Sequence, residues 1–269
     1  MRYSNEQTMH KVTTVFFLTL ILASCCDSNQ KETEAIADPL VALSEKLGGL
    51  WISDSYLKNI ETTKSIYKSR KYATKIQGFN LDKKTLLTGT SNLEGFTEHE
   101  GGYSSPIHYD STHHKFVNDL TRLSDYPFFP EPFDLNFDGK KILTLYFPKT
   151  KTADRYRKLD FGFQTELRKL LIAGKYKSSN KNSAIQFDQD GTVHNFKGFH
   201  YFELIADFGL AIEYDALVFY TTAKGGNWSD GEIYKFEIIA NRLQLQPIKA
   251  NWETMEHEIS DEILVLEEE

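Results

Sequence analysis

Between residues 133 and 147 the chain reads FDLNFDGKKILTLYF, two runs of alternating apolar and polar positions separated by Asp138-Gly139. Alternation with a period of two, broken by Asp-Gly, predicts half-buried antiparallel strands joined by a tight turn. The pattern returns over 234–248 (YKFEIIANRLQLQPI), turning at Ala240-Asn241. There Tyr234, Phe236, Ile238, Leu243 and Leu245 alternate with Lys235, Glu237, Gln244 and Gln246. A third hairpin is expected over 184–196 (AIQFDQDGTVHNF), turned by Asp190-Gly191. Helical spacing is confined to short segments. Asp38 offers an N-cap and Pro39 suits the first helical position; Leu40, Leu43 and Leu47 then follow before Gly48-Gly49. Asp160 can cap a second helix carrying Phe163, Leu167, Leu170 and Leu171 on one side. A third helix is expected from Ser53 to about Thr63, with Tyr56 and Ile60 on one face. Residues 98–132, rich in Gly, Ser, His and Pro, read as a loop.

Two of these features are copies of one another. Leu47-Gly48-Gly49-Leu50-Trp51 and Ile172-Ala173-Gly174-Lys175-Tyr176 lie 125 residues apart, each joining a short helix to a strand, and each is followed downstream by a hairpin. The interval is 89 residues from Gly49 to Asp138 and 66 from Gly174 to Ala240, so the first half carries extra material. The predicted fold is all-β with a few short helices: two tandem antiparallel β-barrel repeats, over 39–158 and 159–269. The competing reading is a single larger barrel with a helix across it.

The start of the chain follows different rules. Residues 12–23 (VTTVFFLTLILA) form an uncharged apolar stretch behind Arg2 and Lys11. As a helix it reaches about 18 Å, short of the roughly 30 Å hydrocarbon core, so it fits a signal-peptide apolar region and not a spanning helix. Residues 27–38 (DSNQKETEAIAD) are polar and without aromatics, the composition of a flexible tether. Cys25 and Cys26 are the only cysteines, so the body after them has neither disulfides nor catalytic thiols and depends on an apolar core.

Leu22-Ala23-Ser24-Cys25 resembles the lipobox of bacterial lipoproteins. The resemblance implies cleavage after a signal peptide of residues 1–24, lipidation of the Cys25 thiol, and acyl chains such as palmitate at the new N-terminus. Residues 25–38 would then be the tether, Cys26 a bystander or an extra acylation site, and the bacterial cell envelope the location, with the outer membrane, periplasmic or surface face, as the expected membrane. Gly49-Leu50-Trp51, on a first strand after a short helix, is similar to the Gly-x-Trp signature of lipocalin-like (calycin) barrels. That resemblance implies that Trp51 closes one barrel end, with a basic residue from the last strand of the repeat, Arg155 or Arg157, packed over it. In the second half Tyr176 replaces the tryptophan, the terminal EILVLEEE offers no arginine, and the family's Thr-Asp-Tyr turn is absent from both halves.

The formal charge is −7, and residues 1–24 carry a net +1 from Arg2, Glu6 and Lys11, leaving −8 on the remainder. An acidic body gives no reason to expect nucleic acid as a partner. The densest group of chemically capable side chains is 99–114 (HEGGYSSPIHYDSTHH), with His99, Glu100, His108, Asp110, His113 and His114. Imidazole and carboxylate are zinc ligands, so a metal-dependent enzyme built on this stretch is one reading. However, His-Glu-x-x-His is absent, as are a Gly-x-Ser-x-Gly elbow and a phosphate-cradling loop followed by Lys-Ser/Thr. Aromatics make up 13% of the chain, enough to fill barrel interiors or to line a ligand pocket. The expectation is a membrane-anchored, non-catalytic binding protein without cofactor, catalytic residues or metal ligands. Its partner is a small apolar ligand or an envelope protein or glycan; a structural interaction protein with filled barrels is the further alternative.

Overall fold

A computed structural model describes residues 38–74, 76–97, 101–118, 132–178, 184–206, 212–222, 228–251, 254 and 256–269. The cysteines, the apolar segment before them, the tether as far as residue 37, His99 and Glu100 lie outside the described residues.

Eight strands close the first barrel: β1 (Gly49–Ser53), β2 (Gly78–Leu81), β3 (Thr90–Phe96), β4 (Gly101–Asp110), β5 (Lys115–Asn118), β6 (Asp134–Phe137), β7 (Ile142–Phe147) and β8 (Thr152–Lys158). Each pairs antiparallel with the next, and β8 returns to β1 with Trp51 opposite Lys158 and Ile52 opposite Arg157. The second barrel contains β9 (Gly174–Ser178), β10 (Ile185–Phe187), β11 (Thr192–Phe196), β12 (Phe199–Ile205), β13 (Ala216–Tyr220), β14 (Glu232–Ile239), β15 (Arg242–Asn251) and β17 (Leu264–Glu268). It closes through β14–β15, β15–β17 and β17–β9, while β16 (Glu256–Ile259) pairs only with the far end of β15 among the described residues. No described strand pairs across from one barrel to the other. The two-barrel reading therefore holds, and the single larger barrel does not.

The predicted hairpins form with their expected turns. Gly139 and Gly191 adopt φ of 79° and 94°, and Ala240 takes the same left-handed region at 57° between Ile239 and Arg242. The stretch read as a loop is different: 101–110 and 115–118 are strands β4 and β5. Ser105 and Ile107 are buried at alternate positions, so the stretch has a strand's period despite its glycines and proline. The β4–β5 ladder runs only from Ile107 to Asp110, so Pro106 interrupts no bond on that side. Asn118 Nδ2 instead donates to the Pro106 carbonyl at 3.0 Å.

Helix α1 (Pro39–Leu47) starts as expected, with the Leu40 N–H donating to Asp38 Oδ1 at 2.8 Å. Helix α2 (Asp54–Thr63) buries Asp54, Tyr56, Leu57 and Ile60, and a single-turn helix α3 (Ile66–Ser69) follows. Helix α4 (Lys83–Leu86) covers part of the first barrel, and α5 (Phe163–Leu171) precedes the second. Asp160 does not cap α5. Gly162 holds the N-cap position, and Asp160 accepts from Lys141 Nζ at 2.6 Å, its carboxyl held low chiefly by that hydrogen bond.

Part of the extra material of the first half, helices α2 and α3, packs against the second barrel. Tyr56, Leu57, Ile60 and Ile66 belong to the same contiguous apolar cluster as the interior of the second barrel. The Tyr67 N–H donates to Asp215 Oδ1 at 2.8 Å, and Lys64 Nζ donates to the Leu170 carbonyl at 3.0 Å. Burial pushes the Asp215 carboxyl up, and bonds from Ser65, Tyr67 and Ile66 only partly offset it. Ala37–Glu269 is thus one compact unit with complete cores of its own.

Candidate functional site

Each barrel begins at the repeated junction between a short helix and its first strand. Trp51 Nε1 donates to the Leu47 carbonyl at 2.8 Å, and Tyr176 OH donates to the Ile172 carbonyl at 2.9 Å. In both copies an aromatic side chain on the first strand reaches back four residues. It satisfies a carbonyl that the end of α1 or α5 leaves without a helical partner. Gly49 has φ of 122°, so the turn from α1 into β1 needs a residue without Cβ.

The cation over Trp51 is Lys158, neither Arg155 nor Arg157. Lys158 Nζ lies 5.8 Å from the indole centroid and donates to the Lys46 carbonyl at 2.8 Å. The reason is register: Lys158 is the direct partner of Trp51, whereas Arg157 is opposite Ile52 and Arg155 pairs with Thr144. Arg157 turns to α2, with Nη1 2.6 Å from Glu61 Oε1 and Nη2 2.9 Å from Asp54 Oδ1; Lys58 reaches Asp54 Oδ2 at 2.6 Å. Burial works against the Asp54 carboxylate, but bonds from Lys58 and Arg157 outweigh it and hold the carboxyl below its ordinary range. This network pins α2 to β8.

Neither barrel interior is an open cup among the described residues. In the second, Phe219 stacks on Phe199 at 5.1 Å, lies 4.8 Å from Phe196 and meets the Tyr234 ring edge-on at 5.3 Å. Phe187 and Phe202 complete this cluster, 5.4 Å apart, and all of these rings are buried. In the first barrel Trp51, Phe79, Phe116 and Tyr156 fill the equivalent space, with Phe79 and Tyr156 4.7 Å apart. Among the described residues open volume is found beside α1 and beside the second barrel. A depression of about 240 Å³ separates α1 from β5 and β6, lined by Leu43, Leu47, His114, Lys115, Phe116, Leu135, Asn136 and Phe137. An open groove of about 590 Å³ runs beside the β10–β11 turn, with Lys169, Asp188 and Asp190 giving it both signs of charge.

The histidine-rich stretch is only partly within the described residues, and its groups there are otherwise engaged. His113 Nδ1 donates to Asp110 Oδ2 at 2.6 Å, and Asp110 Oδ1 accepts from the Thr112 N–H at 2.9 Å. The bond from His113 is the main reason the Asp110 carboxyl is held low. His114, at φ of 51°, hydrogen-bonds through Nδ1 to Tyr109 OH at 3.0 Å. His108 lies on β4 opposite Val117, away from the 111–114 turn. Among the described residues no three His, Cys, Asp or Glu side chains converge on a metal position.

Comparison with protein families, curated proteins and solved structures finds no match for the chain. The depression beside α1 escaped the sequence reading. Its walls come from three separated segments, and only the pairing of β5 with β6, set by Val117 opposite Asp134, brings them together. Lys158 was legible in principle: a strand partner for Trp51 one position past Arg157 reverses which side chain faces the indole.

Proposed function

We propose that this chain is a bacterial envelope lipoprotein, anchored through acyl chains on Cys25, whose two-barrel body binds its partner from outside the barrels and performs no catalysis. The observation that carries the reading is the aromatic filling of both barrel interiors: among the described residues neither is an open cup, and the described concave surface lies beside α1 and beside the β10–β11 turn. The lipobox-like Leu22-Ala23-Ser24-Cys25 supplies the anchor, and two or more acyl chains give durable attachment where one does not. Residues 25–38 then give a reach of at most about 45 Å from the bilayer, enough to present an outer face to another envelope component. Lipocalin-like ancestry of the barrels is part of the same proposal, supported by Gly49-Leu50-Trp51 and its copy at Gly174-Lys175-Tyr176. A fixed joint suits a binder of this kind: α2 and α3 pack into the core of the second barrel, and Arg157 ties α2 to β8 of the first.

The test is labelling with radioactive palmitate in a bacterial host, followed by membrane fractionation. The wild-type chain and Cys26→Ser are expected to carry label and sediment with membranes, and Cys25→Ser to do neither. Equal labelling of Cys25→Ser overturns the anchor.

A further inference from the structure

We propose that the depression between α1 and the β5–β6 pair is a binding site for a small amphiphilic carboxylate, with an apolar part of about six to eight carbons. It rests on the reading that recognition lies outside the barrels, but not on the lipid anchor.

The apolar surface of the site comes from Leu43 and Phe137, which are partly buried, over a floor of buried side chains. Leu47, Phe116 and Leu135 form that floor with 1%, 1% and 5% exposure, and Phe137 is braced edge-on against Trp51 at 5.9 Å. The opposite wall, α1, is latched at its C-terminal end by three bonds. These are Trp51 Nε1 to the Leu47 carbonyl, Lys158 Nζ to the Lys46 carbonyl, and the Lys83–Glu45 ion pair. A preformed apolar cleft with a few polar groups is the usual form of a small-molecule site. The volume of about 240 Å³ holds about eight groups of water or methylene size, which sets the ligand's length.

The polar lining fixes the sign of the ligand. It consists of His114, Lys115 and Asn136, and contains no acidic residue. Lys115 makes no ion pair among the described residues, in a chain whose net charge is −7. The carboxylates nearest in sequence are already engaged: Asp110 by His113, and Asp138 by the N–H groups of Lys140 and Ile142. A lysine without an ion pair in the lining, whose cross-strand partner Asp110 is held by His113, therefore favours an anionic head over a cationic one. A ligand of about ten heavy atoms, at or slightly above the per-atom efficiency of drug-sized ligands, binds with Kd of about 1–6 mM.

The test is titration of the ¹⁵N-labelled body, residues 37–269, with sodium octanoate and separately with octylammonium chloride, followed by amide shifts. Octanoate is expected to saturate, moving the amides of Lys115, Phe116 and Asn136, and to bind at least about tenfold more tightly than octylammonium, the factor one charge-assisted contact supplies. Leu43→Trp, which fills the cleft, is expected to weaken octanoate by at least about tenfold. Lys115→Ala is expected to abolish the preference for octanoate while the amide spectrum elsewhere stays unchanged. Absence of saturation, equal affinity for the two probes, or an unchanged Kd in folded Leu43→Trp overturns the proposal. Each of these results leaves the palmitate-labelling outcome untouched, so the two readings fail separately.

Discussion

Phe219→Ala tests whether the second barrel is a packed core. Phe219 is fully buried and is the ring that the others surround, with Phe196, Phe199 and Tyr234 at 4.8, 5.1 and 5.3 Å. Truncation removes about 100 Å³ of side chain, and at about 24 cal/mol per Å³ the unfilled space costs about 2.4 kcal/mol. Lost burial of the ring adds about 1.5–3 kcal/mol. The expected destabilisation is therefore about 4–5 kcal/mol, at the upper end for a core phenylalanine. The assay is urea unfolding monitored by near-UV circular dichroism, extrapolated linearly, with the slope required to match wild type. Phe161→Ala, at a ring 58% exposed, is the control and is expected to change stability by less than about 0.5 kcal/mol. A loss below about 1.5 kcal/mol for Phe219→Ala with an unchanged slope would mean that the second barrel is not packed, because a ring lining a wet lumen gives up little packing when truncated.

Other positions carry equally specific expectations. Trp51→Phe keeps one six-membered ring but loses the indole N–H that satisfies the Leu47 carbonyl and leaves a small cavity, so it should cost about 2–4 kcal/mol and speed hydrogen exchange in α1; unchanged α1 protection contradicts this. Asp54 has a lowered folded pKa, so its ion pairs stabilise above the unfolded value of about 3.9 and are lost as pH falls through the folded one. Arg157→Met should therefore cost about 1–3 kcal/mol at neutral pH, and this deficit should shrink in acid; equal deficits by urea midpoint in both conditions would count against the Asp54 network. A Cβ on Gly78 would lie 2.5 Å from Ile52 Cδ1 and 2.7 Å from the Trp51 carbonyl oxygen. Gly78→Ala should then lose about 1–3 kcal/mol in thermal melts, whereas Gly174→Ala, whose Cβ would meet nothing nearer than 3.6 Å, should melt close to wild type.

The barrels were legible because their strands alternate and their turns carry the right residues: Asp138-Gly139, Asp190-Gly191 and Ala240-Asn241 all turn where the pattern breaks. The repeat was legible through its junctions, and the matching bonds from Trp51 and Tyr176 give that likeness a physical cause. Strands β4 and β5 were not, because glycines and Pro106 mask an alternation that shows only beside the neighbouring β3. Asp160 has the composition of a cap, yet an exposed lysine across the chain outcompetes the helix for it. The candidate site was the least legible part. The histidine stretch drew attention by composition, while the cleft beside α1 depends on strand register, which one-residue steps reverse. The role of α2 and α3 as the joint between barrels was equally hidden, since Tyr56 and Ile60 announce a buried face but not what covers it.

The most direct test of the account is native mass spectrometry of the full chain extracted from bacterial membranes. A lipid-anchored protein with filled barrels gives a polypeptide beginning at Cys25 that carries covalent acyl chains and holds no long-chain lipid in addition. A chain retaining residues 1–24, or one long-chain lipid bound non-covalently per barrel, would contradict it.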